Sequence, residues 1–328
     1  MTLPLNPDLD SARQLLAGAK RILTITHINP DGDAIGSLLG FGLALRQAGK
    51  EVVMACADPV PDVFRFLPAV TEITAKPEGE FDVVVVLDVS DPPRMGSVGA
   101  ALPRKPDIQF DHHITNPHFA AINFVEAEAA STAELVAELL PGLGLALSDD
   151  VAQCLLTGLV NDTLGFRTSN TTVKTLAIAQ QLMAVGGKLH SIYDLSLFKR
   201  SFTAVRLWAE GLARMRLKNR IVWASLPLEA RQASGYQGSG DADLINVLTS
   251  VREADVAIIF VERPDGLVKL SWRSVPGINV ATVAAGFGGG GHAQAAGAEI
   301  AGTLAEVEER VLKATRAALQ PAPALPAV

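Results

Sequence analysis

The sequence predicts an α/β protein: a mainly parallel sheet flanked by helices, then a smaller α/β domain reached through a helical connector. Three observations carry this expectation. Short apolar runs alternate with helix-periodic segments through residue 185. Residues 83–86 are four consecutive valines, which suits a strand covered on both faces. After residue 206 the pattern changes to paired strands joined by tight turns.

Taken in order, strands are expected at 22–26, 51–55, 83–87 and 108–110, and helices at 34–47, 132–139, 150–160 and 173–185. Ser131 precedes Glu134 by three residues, the spacing of a capping box at a helix start. Gly49 and Gly186 fall where helix C-terminal caps belong. Residues 187–205 hold few helix breakers and read as the connector. Beyond it, 213–217 and 220–226 flank Lys218-Asn219 as one hairpin. Residues 256–262 and 267–272 flank Arg263-Pro264-Asp265-Gly266 as a second, in which Pro-Asp-Gly suits a tight turn. Residues 303–319 read as a long final helix and 321–328 as a frayed tail.

A chain of 328 residues favours two domains. With 48% hydrophobic and 19% charged residues it can fill sizeable cores, which excludes wholesale disorder. A net charge of −7 argues against coating duplex DNA by bulk electrostatics. Cys56 and Cys154, both in apolar stretches, exclude a disulfide framework and a Cys-rich zinc site, and read as buried thiols. Mean hydropathy of +0.27 raises the question of a membrane. The longest stretch without Asp, Glu, Lys or Arg, 274–298, contains Pro276 and seven glycines and cannot span a bilayer as a helix. Residues 1–14 lack the basic and apolar regions of a signal peptide. A cytoplasmic protein without membrane association is expected. The charge is uneven: residues 1–200 hold 15 basic and 23 acidic side chains, net −8, whereas 201–328 are net +1.

The sharpest local signal is Thr26-His27-Ile28-Asn29-Pro30-Asp31-Gly32-Asp33, where an apolar strand ends and a helix begins. Strand ends of an open parallel sheet converge on a ligand crevice. One imidazole and two carboxylates there suit Mn²⁺ or Mg²⁺ better than thiol-seeking metals. Asp33 reads equally as a helix N-cap, and Pro30-Asp31-Gly32 as a turn. Asp88 closes the valine strand, a costly place for a carboxylate unless it is paired or caps the next turn. Asp111-His112-His113 closes the strand at 108–110 in the same way. Adjacent strand residues face opposite ways, so at most one of these histidines is expected to share a ligand position with Asp88. Asp162 ends an apolar helix, where the helix dipole disfavours an acid. Four separate segments ending in Asp or His are hard to explain as independent caps, and a shared dinuclear site is expected. Asp31, Asp33, Asp88 and Asp162 supply four negative charges, which two divalent cations would neutralise.

These segments resemble the motifs of the DHH phosphoesterase superfamily, which also includes RecJ-type exonucleases and manganese inorganic pyrophosphatases. The resemblance implies that His27 and Asp31 hold one Mn²⁺, that Asp33, His112 and Asp162 hold the other, and that Asp88 bridges them. It places His113 near the reacting phosphate, so His113 and Asp88 are the expected catalytic residues. Mg²⁺ or Co²⁺ could also support activity.

In the second half, Leu270-Ser271-Trp272-Arg273-Ser274 is followed by Gly288-Gly289-Gly290-Gly291-His292-Ala293-Gln294-Ala295-Ala296-Gly297. A glycine run alone reads as a flexible loop. Before an apparent helix start, as expected here, it can present N–H groups to an anion. The segment resembles the DHHA1 substrate-binding domain, which implies substrate contacts from Arg273, Ser274, Gly289, Gly290, Gly291 and His292. Arg167, in Asp162-Thr163-Leu164-Gly165-Phe166-Arg167, reads either as a phosphate contact or as a surface ion pair. Trp272 reads either as sheet packing or as a base-stacking surface. The basic cluster at 206, 214, 216, 218 and 220 reads as a solvated strand face.

Together the resemblances imply a DHH catalytic domain over 1–186, a connector over 187–205 and a DHHA1 domain over 206–320. The compact length and the segment from Asp162 to Arg167 resemble stand-alone enzymes that hydrolyse very short oligoribonucleotides to mononucleotides and remove the 3′-phosphate of pAp. The reaction implied is hydrolysis of a phosphoester by water activated between two metal ions. A cyclic di-AMP or linear pApA phosphodiesterase is the alternative within the class, and a non-catalytic RNA-binding module the alternative outside it. Expected partners are short single-stranded oligonucleotides and nucleotides, not membranes or stable duplex DNA. Oligomeric state stays open, a homodimer included.

Overall fold

The computed structural model describes residues 7–238 and 240–319; the tail expected at 321–328 lies outside the described residues. Two compact units divide between Lys199 and Arg200. No helix among the described residues is long and apolar enough to cross a membrane.

The first unit runs α1 (Pro7–Gly18), β1 (Arg21–Ile25), α2 (Gly32–Gln47), β2 (Glu51–Ala55), β3 (Val83–Leu87), α3 (Gly96–Ala100), β4 (Ile108–Asp111), β5 (Ile122–Val125), α4 (Thr132–Leu139), α5 (Asp149–Asp162), α6 (Val173–Val185) and α7 (Leu189–Ile192). Its five strands form one sheet in the order β2-β1-β3-β4-β5, parallel throughout. Chain order reverses between β1 and β3, so the ends of those two strands flank the crevice where such sheets bind ligands. All five residues of β3 are buried. Val83, Val85 and Leu87 pack with Ile35, Leu38, Leu155 and Leu159 on one face, while Val84 and Val86 join Leu23, Ile25, Met95 and Val98 on the other. The β-branched run is thus the middle of a three-layer sandwich.

Two glycines set how closely α2 and α5 approach. A Cβ on Gly36 would lie 2.6 Å from the Cys154 carbonyl oxygen and 2.7 Å from the Gly158 nitrogen. A Cβ on Gly158 would lie 2.8 Å from Oδ1 of Asp33. Any side chain at either position would push the helices apart, and with them Asp33 and Asp162. Ser131 caps α4 by accepting from the Glu134 N–H, while Glu134 reaches past it to the Ala130 N–H. Gly49, with φ of +82°, follows α2, and Gly186, with φ of +149°, caps α6. Sequence periodicity did not mark α1 or β5. The first has little net hydrophobicity, and the second is a four-residue edge strand with only Phe124 buried. Within 187–205 the chain is helical as α7, continues as a π-turn over Tyr193–Phe198, and becomes extended at Lys199.

The second unit contains α8 (Phe202–Ala213), β6 (Arg216–Lys218), β7 (Ile221–Leu226), α9 (Leu228–Ser234), α10 (Leu244–Leu248), β8 (Val256–Glu262), β9 (Leu267–Ser274), α11 (Val280–Ala285), β10 (Gly290–His292), β11 (Ala295–Ala301) and α12 (Leu304–Leu319). Its sheet order is β10-β11-β9-β8-β7-β6, with β7 and β8 parallel and the other neighbours antiparallel. The first hairpin turns at Asn219-Arg220, one residue later than expected, because both adopt positive φ (52° and 60°) and Lys218 pairs with Ile221. Ala213 belongs to α8 rather than to that hairpin.

The glycine run does not open a helix, which corrects the sequence reading. Gly290–His292 is an edge strand, and Ala293-Gln294 turns it back into β11. The glycines allow that pairing: a Cβ on Gly289 would lie 2.1 Å from the Gly297 carbonyl oxygen, and one on Gly291 2.4 Å from that of Ala295. Trp272 is fully buried and donates from Nε1 to Thr315 Oγ1 at 3.3 Å, so it is a packing residue and no stacking surface. The basic cluster is largely neutralised on the surface: Arg214 pairs with Glu210, Arg216 lies 3.6 Å from Glu308, and Arg220 pairs with Asp255.

Candidate metal centre

His27, Asp88, Asp111, His112 and His113 sit at or just after the C-terminal ends of β1, β3 and β4, whereas Asp31 and Asp33 start α2 and Asp162 ends α5. His27 follows β1 and is buried; its Nδ1 lies 2.8 Å from the Ile28 carbonyl oxygen, which can only accept. The same Nδ1 lies 3.1 Å from Arg94 Nη2, while Nε2 faces Asp88 Oδ2 (3.4 Å) and Asp31 Oδ1 (3.9 Å). His112 repeats the device. Its Nδ1 faces the Ala129 carbonyl oxygen at 3.3 Å, while Nε2 lies 3.6 Å from Asp162, 3.8 Å from Asp88 and 3.9 Å from Asp33.

The helix cap belongs to Asp31, whose Oδ1 accepts from the N–H groups of Asp33 and Ala34 at 3.0 Å. Asp33 instead reaches across to the start of α4. Its Oδ2 accepts from the Thr132 N–H at 2.6 Å and its Oδ1 from the Ala133 N–H at 2.9 Å, so a helix N-terminus stabilises the carboxylate. Asp88 adopts φ of +59°, a left-handed conformation uncommon outside glycine and Asn or Asp, and accepts from the Thr132 hydroxyl at 2.9 Å. Both histidines of Asp111-His112-His113 come within 3.8 Å of Asp88, although strand alternation would separate them. They lie beyond the end of β4, where the strand period no longer applies.

Three groups result in which one ligand atom from each residue lies within 4.8 Å of the others: His27, Asp31 and Asp88; Asp33, His112 and Asp162; and Asp88, His112 and His113. Burial, and then the charges of Asp88 and Asp162, hold the Asp33 carboxyl well above the usual range. Burial, followed by Asp31 and Asp88, does the same to Asp162. Burial would raise Asp88 too, but His27, His112 and His113 outweigh it and hold its carboxyl below the usual range. Burial lowers His27 and His112, yet Asp88 overcomes this in both and the imidazoles are raised. These side chains therefore repel or neutralise one another with no outside charge.

Such a donor set fits divalent cations. Oxygen and imidazole donors suit Mn²⁺ or Mg²⁺, and two rings presenting Nε2 while Nδ1 is tied to a carbonyl are arranged as metal ligands are. The Nε2-to-carboxylate spacings of 3.4–3.9 Å are at or beyond hydrogen-bond length, as expected of donors that would share an ion.

The remaining predicted residues fall elsewhere. Arg167 is exposed just after α5, with no acidic side chain within 4.0 Å among the described residues. Arg273, Ser274, Gly289, Gly290, Gly291 and His292 lie in the second unit. Arg273 pairs with Ala295 across β9 and β11, and Ala295 pairs with His292 across β11 and β10, so Arg273 and His292 occupy one row of the sheet. The side chain of His292 lies outside the described residues. Arg273 is half-buried and donates to the Trp272 carbonyl oxygen at 2.9 Å. Three residues at the centre escaped sequence reasoning. Thr132 bonds both Asp33 and Asp88, Arg94 brings Nη2 to 3.1 Å from His27 Nδ1, and Asn116 donates to Asp111. Only Thr132 carried a signal, the Ser131–Glu134 cap that marks a helix N-terminus.

Comparison with known proteins agrees with this layout. The DHH family, N-terminal domain, matches residues 21–159, and the DHHA1 domain matches residues 237–320. A bifunctional oligoribonuclease and PAP phosphatase from Thermus thermophilus is 37% identical over 302 residues, covering 90% of this chain and 89% of that protein. A cyclic-di-AMP phosphodiesterase from Listeria monocytogenes is 25% identical over 92% of this chain but 48% of its own length. The crystal structure of an exopolyphosphatase-related protein from Bacteroides fragilis superimposes with a TM-score of 0.89 at 27% identity, covering 97% of this chain and 98% of that one.

Proposed function

Because the chain belongs to the DHH/DHHA1 phosphoesterase family and is a hydrolase of that family, we propose that it hydrolyses short oligoribonucleotides to mononucleotides and removes the 3′-phosphate of pAp. The observation that carries this reading is the convergence of His27, Asp31 and Asp88 with Asp33, His112 and Asp162 in one cluster, in which His27, Asp33 and Asp88 are buried, His112 and Asp162 partly so and Asp31 exposed. The 37% identity to an oligoribonuclease and PAP phosphatase supports the substrate class.

In this reading His27 and Asp31 would hold one Mn²⁺, Asp33, His112 and Asp162 would hold the second, and Asp88 would serve both. Two such ions supply Lewis-acid chemistry, polarising the phosphoryl group and activating water near neutral pH. The chain's own residues do the rest. The start of α4 fixes Asp33 and Asp88 through Thr132 and Ala133, so neither carboxylate needs to reorganise when substrate arrives. His113 faces the reacting phosphoryl group. Arg273, Ser274, Gly289, Gly290, Gly291 and His292 hold the nucleotide, and Arg167 contributes charge beside a phosphate. The enzyme works in the cytoplasm on single-stranded oligonucleotides.

The likeness to a cyclic-di-AMP phosphodiesterase favours one second reading, a cyclic di-AMP or pApA phosphodiesterase. One assay separates them. Purified protein with Mn²⁺ is offered labelled two- to five-mers of RNA, pAp, cyclic di-AMP and pyrophosphate. Mononucleotide release from the short RNAs and phosphate release from pAp are expected; turnover of cyclic di-AMP alone would favour the second reading. Retained RNA binding with no hydrolysis of any substrate would leave only a binding module.

A further inference from the structure

The two histidines of Asp111-His112-His113 face the same carboxylate but are held differently. His112 is tied to a backbone carbonyl, whereas His113 has its Nδ1 2.7 Å from Oδ1 of Asp111, a fully buried carboxylate. The other Asp111 oxygen accepts from Asn116 Nδ2 at 2.5 Å. Asn116 is itself buried and uses its whole amide. Nδ2 also donates to the Val89 carbonyl oxygen at 3.0 Å, one residue beyond Asp88, and Oδ1 accepts from the His118 N–H at 2.8 Å. One side chain therefore ties the end of β3 to the loop that follows β4.

We propose that Asn116 is a positioning residue for phosphoester hydrolysis: by fixing the Asp111 carboxylate it sets the tautomer and the direction of His113. The inference rests on the phosphoesterase reading and deepens it. A carboxylate accepts, so Nδ1 of His113 carries the proton and Nε2 is the nitrogen turned to substrate. A lone Asp111 could rotate about its χ2 and let the imidazole turn with it. Anchoring Oδ2 removes that freedom, and losing an outer partner of this kind costs about 10- to 100-fold in affinity or activity. Loop capping alone would need only the Asn116 oxygen on His118; the two amide protons serve Asp111 and Val89 and are what this role requires.

The test uses Asn116→Ala, Asn116→Asp and Asp111→Asn in the full chain. Asn116→Asp keeps an oxygen for the His118 N–H but meets Asp111 only as a repelling carboxylate or through a shared proton, so the fixed amide donor is lost while the loop contact stays. Both Asn116 variants should lower kcat about 10- to 100-fold with KM for pApA and Mn²⁺ affinity unchanged. The double variant Asn116→Ala with Asp111→Asn should cost no more than Asp111→Asn alone, because the residues act in series. With ¹⁵N-labelled histidine, the low-field Nδ1–H signal of His113 should vanish in Asp111→Asn and shift or broaden in both Asn116 variants. An unshifted signal, an unchanged kcat, multiplicative losses, or a loss matched by weaker Mn²⁺ binding would overturn the assignment. Should wild type hydrolyse no phosphoester, the phosphoesterase reading fails while the imidazole spectrum still reports the Asn116 link.

Discussion

Thr132 stands where two carboxylates of the cluster meet, its N–H on Asp33 and its hydroxyl on Asp88. A buried carboxylate that loses a donor pays the desolvation of that oxygen, about 1–3 kcal/mol. Thr132→Val keeps the branched shape and the N–H but removes the hydroxyl. Mn²⁺ affinity, read by isothermal titration, should fall about 10- to 100-fold with the fold intact. Wild-type affinity in that variant would take Thr132 out of the account. At this scale the sequence identified the residue types that carry chemistry, because Asp or His closing an apolar run stands out. Their separate duties were hidden. Asp33 was open to reading as a cap that Asp31 in fact makes, and its true partner on α4 lies 99 residues away. Asn116 gave no signal, since an Asn five residues after Asp111 looks like any loop residue.

The decisive element is the α2–α5 pair, whose backbones touch at Gly36 and Gly158. α2 carries Asp33 and α5 carries Asp162, so the separation of these helices sets the spacing of two groups expected to share an ion. Gly36→Ala would bring a Cβ to 2.6 Å from the Cys154 carbonyl oxygen, and backbone cannot give way as a side-chain tip can. Overpacking of this kind costs about 1–3 kcal/mol. Urea unfolding should show that loss, and Mn²⁺-dependent turnover should fall with it; an unchanged midpoint and rate would mean the helices have slack. Strands β2 and β3 and helices α4 and α6 were legible to the residue, since strong periodicity and clear caps agree there. β10 was misread because four glycines carry no periodicity. Its pairing with β11 depends on backbone closeness that only the fold reveals.

Over the whole molecule, the four cluster aspartates match half of the net charge of −8 carried by the first 200 residues. Two divalent cations would move that half from −8 to about −4 by charge counting alone. The second half, at +1, carries Arg273 and the glycine strand. Acidic composition argues against long duplexes, yet a few nucleotides can still be held by a metal centre. The central claim is that this cluster binds two cations and that hydrolysis depends on both, with Asp88 common to them. Equilibrium Mn²⁺ titration of wild type and Asp88→Ala, with pApA turnover on the same samples, tests it most directly. The account predicts two Mn²⁺ per wild-type chain, impaired binding of both in a still-folded Asp88→Ala, and turnover lost with them. Two ions retained with undiminished hydrolysis in Asp88→Ala would contradict it.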